Sequence, residues 1–493
     1  MGRMLSKLGN FATQILIVRY LSQNEYGGFA YALTVVTTLQ NIIGLGLDQS
    51  VVRFLPIYQE RRDWSRFFGT IAVALVVIVA LGLVAIGGLL ALHGVAGRWV
   101  PNPDTTLPLL LILVLLAPLQ ALDDLLVALF ATFAKARSIF LRRFLLAPVL
   151  RLAVATVMVL GGGSAMLLAW GYVASSLLGL VLYGYFLVRV LRREGLLEHW
   201  SYRGLELPFR ELLGFTVPLL TTDLTYAAMT TLSVVILGQV WGTAGVASLT
   251  AVQPAARMNE LVMNTFGILY VPMASRMFAK QDRLGINALY WRTAIWIAIL
   301  TFPVFIATFS LARPLTVLLF GHRYESSAPV LAILAVGSYF NAALGHNGLT
   351  LKVFGKVRTI VLVNIVTMAA SVLLSVLLIP SLGPPGAAIA ITSALLIHNV
   401  LKQVGLKLET GVRLFDPIYV RVYAGIILVA AGLQAVSSLV SPPLAVMALL
   451  AILATWLLVR VNAGVLEVGE TFPEVRRWPG LASILPPKRE ASG

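Results

Sequence analysis

The 493-residue chain contains no cysteine, which excludes disulfides, thiolate nucleophiles and cysteine-ligated metals. Charge is scarce. Charged side chains make up 12% of the residues, against about 25% in ordinary soluble domains. Acids are scarcer still, with 21 Asp and Glu against 37 Lys and Arg. No Walker motif, hydrolase elbow or metal box interrupts the sequence, so bound ATP is excluded as a source of energy. No n-region, short apolar stretch and small-residue cleavage site marks the N-terminus, and the first helix is expected to remain in the mature chain. In place of charge stand apolar residues, 59% of the total, with a mean hydropathy of +0.89. An ordinary soluble protein is excluded.

The apolar excess is concentrated. Ile71 to Leu92 carries no charge, and neither does Val422 to Val459, which Ser441-Pro442-Pro443 divides. About 20 apolar residues cross a hydrocarbon core of roughly 30 Å, so such runs are membrane spans. Reading apolar runs between charged or Gly/Pro punctuation predicts an all-α polytopic protein with about fourteen spans. These lie near 4–20, 27–48, 67–92, 107–134, 144–161, 164–188, 211–237, 244–272, 289–311, 327–354, 358–379, 384–406, 420–439 and 443–459. The charges test the count. With a cytoplasmic N-terminus, 31 of the 37 basic residues fall on the cytoplasmic side; Arg19, Arg98, Arg313 and Arg323 fall opposite, and Arg151 and Arg257 lie at membrane depth. A wrong count would have inverted that bias partway along. The formal charge of +16 therefore reports inner-membrane topology with both termini cytoplasmic, not nucleic-acid binding. Far-side connections are short loops, leaving no extracytoplasmic domain to host a polymerising or transferase active site.

An internal repeat is visible. Pro108 precedes Phe133-Ala134-Lys135-Ala136-Arg137 by 25 positions, and Pro329 precedes Phe354-Gly355-Lys356-Val357-Arg358 by the same 25. Gly28-Phe29-Ala30 is echoed by Gly245-Val246-Ala247. A unit of six helices keeps both halves in one orientation, a parallel repeat. The expected parts are an N-terminal lobe over 1–205, a C-terminal lobe over 206–413, two further helices over 414–461 and a cytoplasmic tail over 462–493. The linker Arg189 to Arg210 sets Leu191, Leu196, Leu197 and Trp200 among arginines, a pattern suited to the headgroup boundary.

Ionisable groups at membrane depth are costly unless they face protein or water, so each is a candidate. Arg19 ends the first span, Arg53 follows the second, Arg151 lies in the fifth and Arg257 near the middle of the eighth. Facing a cavity between the lobes, these four would form a cationic lining for a pyrophosphate or acidic sugar, because guanidinium meets phosphate oxygens bidentately. The competing readings are local: Arg19 and Arg53 snorkel to headgroups, Glu260 neutralises Arg257, and Asp123 or Asp124 neutralises Arg151. Asp223, beside Thr221 and Thr222 and five residues after Pro218, is the candidate for a coupling Na⁺ or H⁺; a hydrogen-bonded structural role is the alternative. Amides dot the spans, among them Gln40, Asn41, Asn259, Asn341, Asn347, Asn364 and Asn399, and such groups usually bond across helices. His346 and His398 are expected to pack and not to bind metal. No cofactor is expected beyond that ion.

Arg19-Tyr20-Leu21-Ser22-Gln23-Asn24-Glu25-Tyr26-Gly27 resembles the Arg-Tyr-Leu-Gly-x-x-x-Tyr-Gly turn of the polysaccharide (oligosaccharide) flippases, within the multidrug/oligosaccharidyl-lipid/polysaccharide exporter superfamily. Gly44-Leu45-Gly46-Leu47-Asp48 through Val52-Arg53-Phe54 looks like the end of that family's second helix, and Phe215 to Asp223 is similar to its seventh-helix opening. The likeness extends over nearly the whole chain, although each motif alone is degenerate. It implies a two-lobed, V-shaped transporter, acting as a monomer, that turns lipid-linked oligosaccharide from the inner to the outer leaflet by alternating access for cell-surface polysaccharide synthesis. Partners implied are the bilayer, that lipid-linked substrate and polysaccharide-assembly proteins. In the related lipid II flippases, cavity arginines hold pyrophosphate and the last two helices form a groove for the lipid tail. By resemblance Arg19 and Arg53 match the first-lobe arginines, Arg151 and Arg257 match only in kind, and the helices after Arg413 match the groove. The first span lacks the acid that many drug exporters use, and the eleventh and twelfth lack a sodium-site carboxylate. A multidrug exporter and a membrane glycosyltransferase are the alternatives; the first should show acidic and aromatic cavity walls, the second a far-side acidic pair.

Overall fold

The computed structural model describes residues 2–133, 146–199, 205–413, 417–440 and 442–466. The basic loop from Lys135 to Arg143, part of the linker and the tail beyond Leu466 lie outside these. Among the described residues every regular element is helical. In chain order these are α1 (Gly2–Tyr20), α2 (Gln23–Gly44), α3 (Leu47–Glu60), α4 (Trp64–Ala91), α5 (His93–Trp99), α6 (Pro103–Leu113), α7 (Leu116–Thr132), α8 (Ala147–Leu160), α9 (Ala165–Arg193) and α10 (Phe209–Thr250). There follow α11 (Gln253–Arg257), α12 (Leu261–Ala279), α13 (Arg283–Phe309), α14 (Ala312–Phe320), α15 (Ala328–Ala343), α16 (Asn347–Val353), α17 (Val357–Leu382), α18 (Pro384–Thr410), α19 (Pro417–Val440), α20 (Leu444–Val461) and α21 (Ala463–Leu466).

Eleven of the described helical segments are long and apolar enough to cross a membrane. The chain is a multi-pass membrane protein. The expected count of fourteen includes the first span, the short Ala147–Leu160 and the eighth span, which is interrupted after Thr250; these three are not among the eleven. Contacts divide the chain into two compact units, Met1–Ala251 with Val372–Ala387, and Val252–Ser371 with Ala388–Gly493. The sequence repeat places its division at 205, whereas the contacts keep all of α10 in the first unit.

In that first unit α2 is the central element. Its start is written in Ser22 and Glu25: the Ser22 hydroxyl accepts the Glu25 N–H at 3.2 Å, and the Glu25 carboxylate accepts the Ser22 N–H at 3.2 Å. Helix α10 runs against α2 and α3, and polar contacts join them. Thr38 and Thr231 hydroxyls meet at 2.6 Å, Thr243 donates to Asn24 Oδ1 at 3.0 Å, Ser50 donates to the Leu212 carbonyl at 3.2 Å, and Tyr58 donates to Glu211 at 2.9 Å. Gly242, at φ 66° and ψ −171°, is non-helical and divides α10 into two helices. In the second unit α13 is the hub: Trp291, Ile295, Ile299, Phe302 and Ile306 along it are buried. Trp291 stacks on Tyr419 with centroids 5.9 Å apart, and the Trp296 indole donates to the Leu466 carbonyl at 3.2 Å, tying α19 and the chain's last described turn to the hub.

Candidate functional site

Several spans are broken at depth. The second span divides at Leu45 and Gly46, both left-handed at φ 47° and 66°. The fourth yields just before Pro118, whose missing N–H cannot bond the Val114 carbonyl; Ala117 takes that carbonyl at 3.1 Å in a tighter turn. In the second half the eighth span turns at Ala251-Val252 between α10 and α11 and tightens to a 3-10 turn at Met258–Glu260 before α12, and the tenth breaks at Leu344 to His346 with Gly345 at φ 67°. Thus the second and fourth helices of each half carry the breaks, the segments where transporters place binding sites. The breaks are not spaced by the 221 residues of the sequence repeat.

Each break exposes backbone carbonyls that need donors. At the tenth span, Tyr290 donates to the Leu344 carbonyl at 2.6 Å and Tyr423 to the Ala343 carbonyl. At the second span, the break opens a hollow of about 110 Å³ walled by Gln40, Asn41, Asp48, Gln49 and Asp124, where Gln40 donates to Asp124 Oδ2 at 2.8 Å.

Three of the four expected arginines, Arg19, Arg53 and Arg151, belong to the first unit, and Arg257 to the second. Arg19 is exposed at the end of α1, which packs on α8, the helix of Arg151. Arg53 is exposed on α3 with its guanidinium 4.3 Å from the Phe215 ring centroid and 5.5 Å from that of Phe54. Those rings hold the cation, and among the described residues its N–H fork has no hydrogen-bond partner. Arg151 lies 6.0 Å from the Tyr172 ring. Neither Asp123 nor Asp124 forms an ion pair with it among the described residues. Arg257 is exposed at the end of α11, and Glu260 accepts from Asn341 Nδ2 at 3.0 Å. The aromatic partners were not anticipated; Phe54, next to Arg53 in the motif, was the available signal. The side chains of Thr221, Thr222 and Asp223 lie outside the described residues.

His398 bonds Asn364 Oδ1 at 3.1 Å, and His346 packs on the Tyr270 ring at 4.8 Å. Among the described residues no group of three His, Cys, Asp or Glu is gathered to hold a metal. The second unit also carries a groove of about 750 Å³ bordered by α13, α15, α18 and α19, with Phe305, Phe340, Val404, Tyr423, Ile427 and Ala431 along it. Gln403 and Gln434 are its few polar members.

Residues 16–329 match the family described as polysaccharide biosynthesis protein. The chain belongs to that family. It is 27% identical over 344 residues to the succinoglycan biosynthesis transport protein ExoT of Rhizobium meliloti (strain 1021). That match takes in 67% of this chain and 64% of the relative, so the chain spans less than two thirds of the length of that relative. Its fold is similar to that of the lipid II flippase MurJ in an inward closed conformation, with TM-score 0.74 at 15% identity, covering 93% of this chain and 97% of MurJ. It is also similar to an inward-facing multidrug resistance MATE family transporter of the MOP superfamily, with TM-score 0.66 at 13% identity over 82% and 94% of the two chains. The polysaccharide family member is thus built on a fold shared by flippases and drug transporters.

Proposed function

We propose that this chain is a flippase that carries a lipid-linked, pyrophosphate-bearing oligosaccharide from the inner to the outer leaflet of the inner membrane, with both termini cytoplasmic. Arg19, Arg53, Arg151 and Arg257 bind the anionic headgroup, and the groove holds the lipid tail. The observation that carries the reading is the groove: about 750 Å³ of almost wholly apolar surface, built partly from a helix that lies beyond the six-plus-six repeat. A long hydrocarbon chain fits such a trough, while a polar sugar does not. Membership of the polysaccharide biosynthesis family and the name of the succinoglycan transport relative support the same cargo class. The multidrug reading has the MATE fold in its favour, but the candidate arginines disfavour organic cations.

The test is complementation in a strain whose own copy is deleted. Arg19→Ala and Arg53→Ala are expected to abolish polymer export while immunoblots find each variant in the membrane. Normal export by both would remove the cationic headgroup site.

A further inference from the structure

The apolar groove of the second unit has a charged end. Its walls run on α13 from Trp291 to Phe309 and on α19 from Val420 to Gln434. At 1.5 Å per residue those stretches are about 27 Å and about 21 Å long. A hydrocarbon core is roughly 30 Å thick, so the groove is longer than one leaflet. At its Phe309 end it meets a second hollow, for Phe309 also borders a space of about 440 Å³ together with Ser310, Arg313, Glu325, Ser326 and Pro329. Stacked rings line the approach, Phe309 on Phe305 with centroids 5.1 Å apart and Phe305 on Tyr339 at 4.3 Å. A continuous apolar wall thus leads out to a charged rim.

The rim is an ordered ion pair. Arg313, on the first turn of α14, donates from Nε to Glu325 Oε1 at 2.6 Å, and its Nη2 lies 2.5 Å from the same oxygen. Glu325 sits in the 3-10 turn His322–Ser327. Both contacts fall on Oε1, so Nη1 of the guanidinium has no partner among the described residues, and Oε2 has only His322 Nδ1 at 3.5 Å. The Arg313 side chain is 77% exposed. The rim therefore offers open donors beside an open acceptor of opposite charge. Just inside it stands an amide. Ser437 donates to the Ser310 carbonyl at 2.9 Å and fixes α19 against the end of α13. Gln434, one turn earlier on the same face of α19, has its amide oxygen buried with no hydrogen-bond partner. Amide oxygen and nitrogen are told apart by their partners, so the orphan position can equally be the NH₂, a donor for the ester carbonyls that join head to tails in a glycerophospholipid.

We propose that this end of the groove is a binding site for phosphatidylethanolamine, with the tails in the groove, the phosphate on the open edge of Arg313 and the ammonium on Glu325 Oε2. A headgroup that carries both signs close together answers both members of the pair. Other heads fit less well. Phosphatidylglycerol, and equally a glycosyl pyrophosphate, brings negative charge to Glu325 with no ammonium to offset it. Phosphatidylcholine carries the positive charge but has no N–H to donate. With both termini cytoplasmic, as proposed above, the site lies in the outer leaflet. Such a phospholipid keeps the apolar groove filled whether or not the groove also takes the tail of a flipped substrate.

The experiment places the full-length protein in nanodiscs holding equal amounts of phosphatidylethanolamine, phosphatidylcholine and phosphatidylglycerol with identical tails. After transfer to mild detergent, native mass spectrometry identifies the lipids that stay bound. The wild type is expected to retain phosphatidylethanolamine about fivefold over either of the others, the weight of one exposed charge pair. Glu325→Gln keeps the shape and an oxygen for Arg313; it should lose the preference over phosphatidylcholine and gain phosphatidylglycerol. Arg313→Ala should retain less of both phosphatidylethanolamine and phosphatidylglycerol, whereas Arg98→Ala, in the first unit, should match the wild type. Equal retention of the three lipids by the wild type, a preference for phosphatidylglycerol, or a preference for phosphatidylethanolamine that survives in Glu325→Gln would overturn the proposal. Should Arg313→Ala fail to reach the membrane, Glu325→Gln decides alone. No lipid-linked sugar is used and Arg19 and Arg53 stay in place, so this test and the export test fail separately.

Discussion

Gly27 closes the motif that begins at Arg19, and the structure gives it a physical reason. Helix α2 passes so close to α10 that a Cβ built on Gly27 would lie 1.9 Å from the Thr243 carbonyl oxygen and 2.6 Å from its carbon. Ordinary contact begins near 3.4 Å, so Gly27→Ala asks two backbones to part by roughly 1.5 Å. No flexible side chain can absorb this, and Thr243 is also held by its bond to Asn24. Overpacking commonly costs 1–3 kcal/mol, and a backbone-on-backbone clash belongs at or above the upper end, about 3 kcal/mol. The control is Gly432→Ala on α19, where a Cβ meets nothing within 4 Å; in a helix that change should be neutral or gain up to about 1 kcal/mol. Thermal unfolding of both variants in detergent, followed by intrinsic tryptophan fluorescence, separates them. At roughly 2 °C per kcal/mol for a large chain, Gly27→Ala should melt about 6 °C lower and Gly432→Ala should not. Indistinguishable midpoints for wild type, Gly27→Ala and Gly432→Ala would refute the close-approach argument.

Three further outcomes follow from the geometry. Ser22→Ala removes one half of the reciprocal cap at the start of α2 and should cost about 1 kcal/mol, read as a lower midpoint in the same melt. Ala431→Trp places an indole in the apolar groove, and export should fall more than tenfold with the protein still in the membrane; full export would mean that the groove carries no tail. Phe215→Leu removes the ring 4.3 Å from the Arg53 guanidinium, a contact worth about 1 kcal/mol. Export by that variant should fall severalfold and not be abolished, as a titrated expression series would reveal.

How much of this the sequence discloses depends on what sets each feature. Apolar runs such as Ile71 to Leu92 need only length and composition, so the spans are legible, and α4 covers that run. The amides at 341, 347 and 399 are legible as groups that bond across helices, and they do. Their order and direction are not, because those depend on which faces of α15, α16 and α18 meet. The second span reads as ending near Asp48, yet helix resumes at Leu47 and runs to Glu60. A left-handed pair at Leu45 and Gly46 is chosen by the packing around it, and leucine gives no local sign of it. At the candidate site the arginines and the adjacent Phe54 stand in one stretch of sequence or another, whereas Phe215 beside Arg53 lies more than a hundred positions away and Tyr172 beside Arg151 more than twenty.

The first of the two helices that follow Arg413 has a structural duty besides bordering a trough. Tyr423 reaches from the first of them to the Ala343 carbonyl, one of the groups the interrupted tenth span leaves bare. A bare carbonyl in hydrocarbon costs several kcal/mol, so the interruption and the appended pair sustain each other. Shortening the protein to a twelve-helix version would withdraw that hydroxyl, and the truncated chain would have to find another cap there or straighten the interrupted helix.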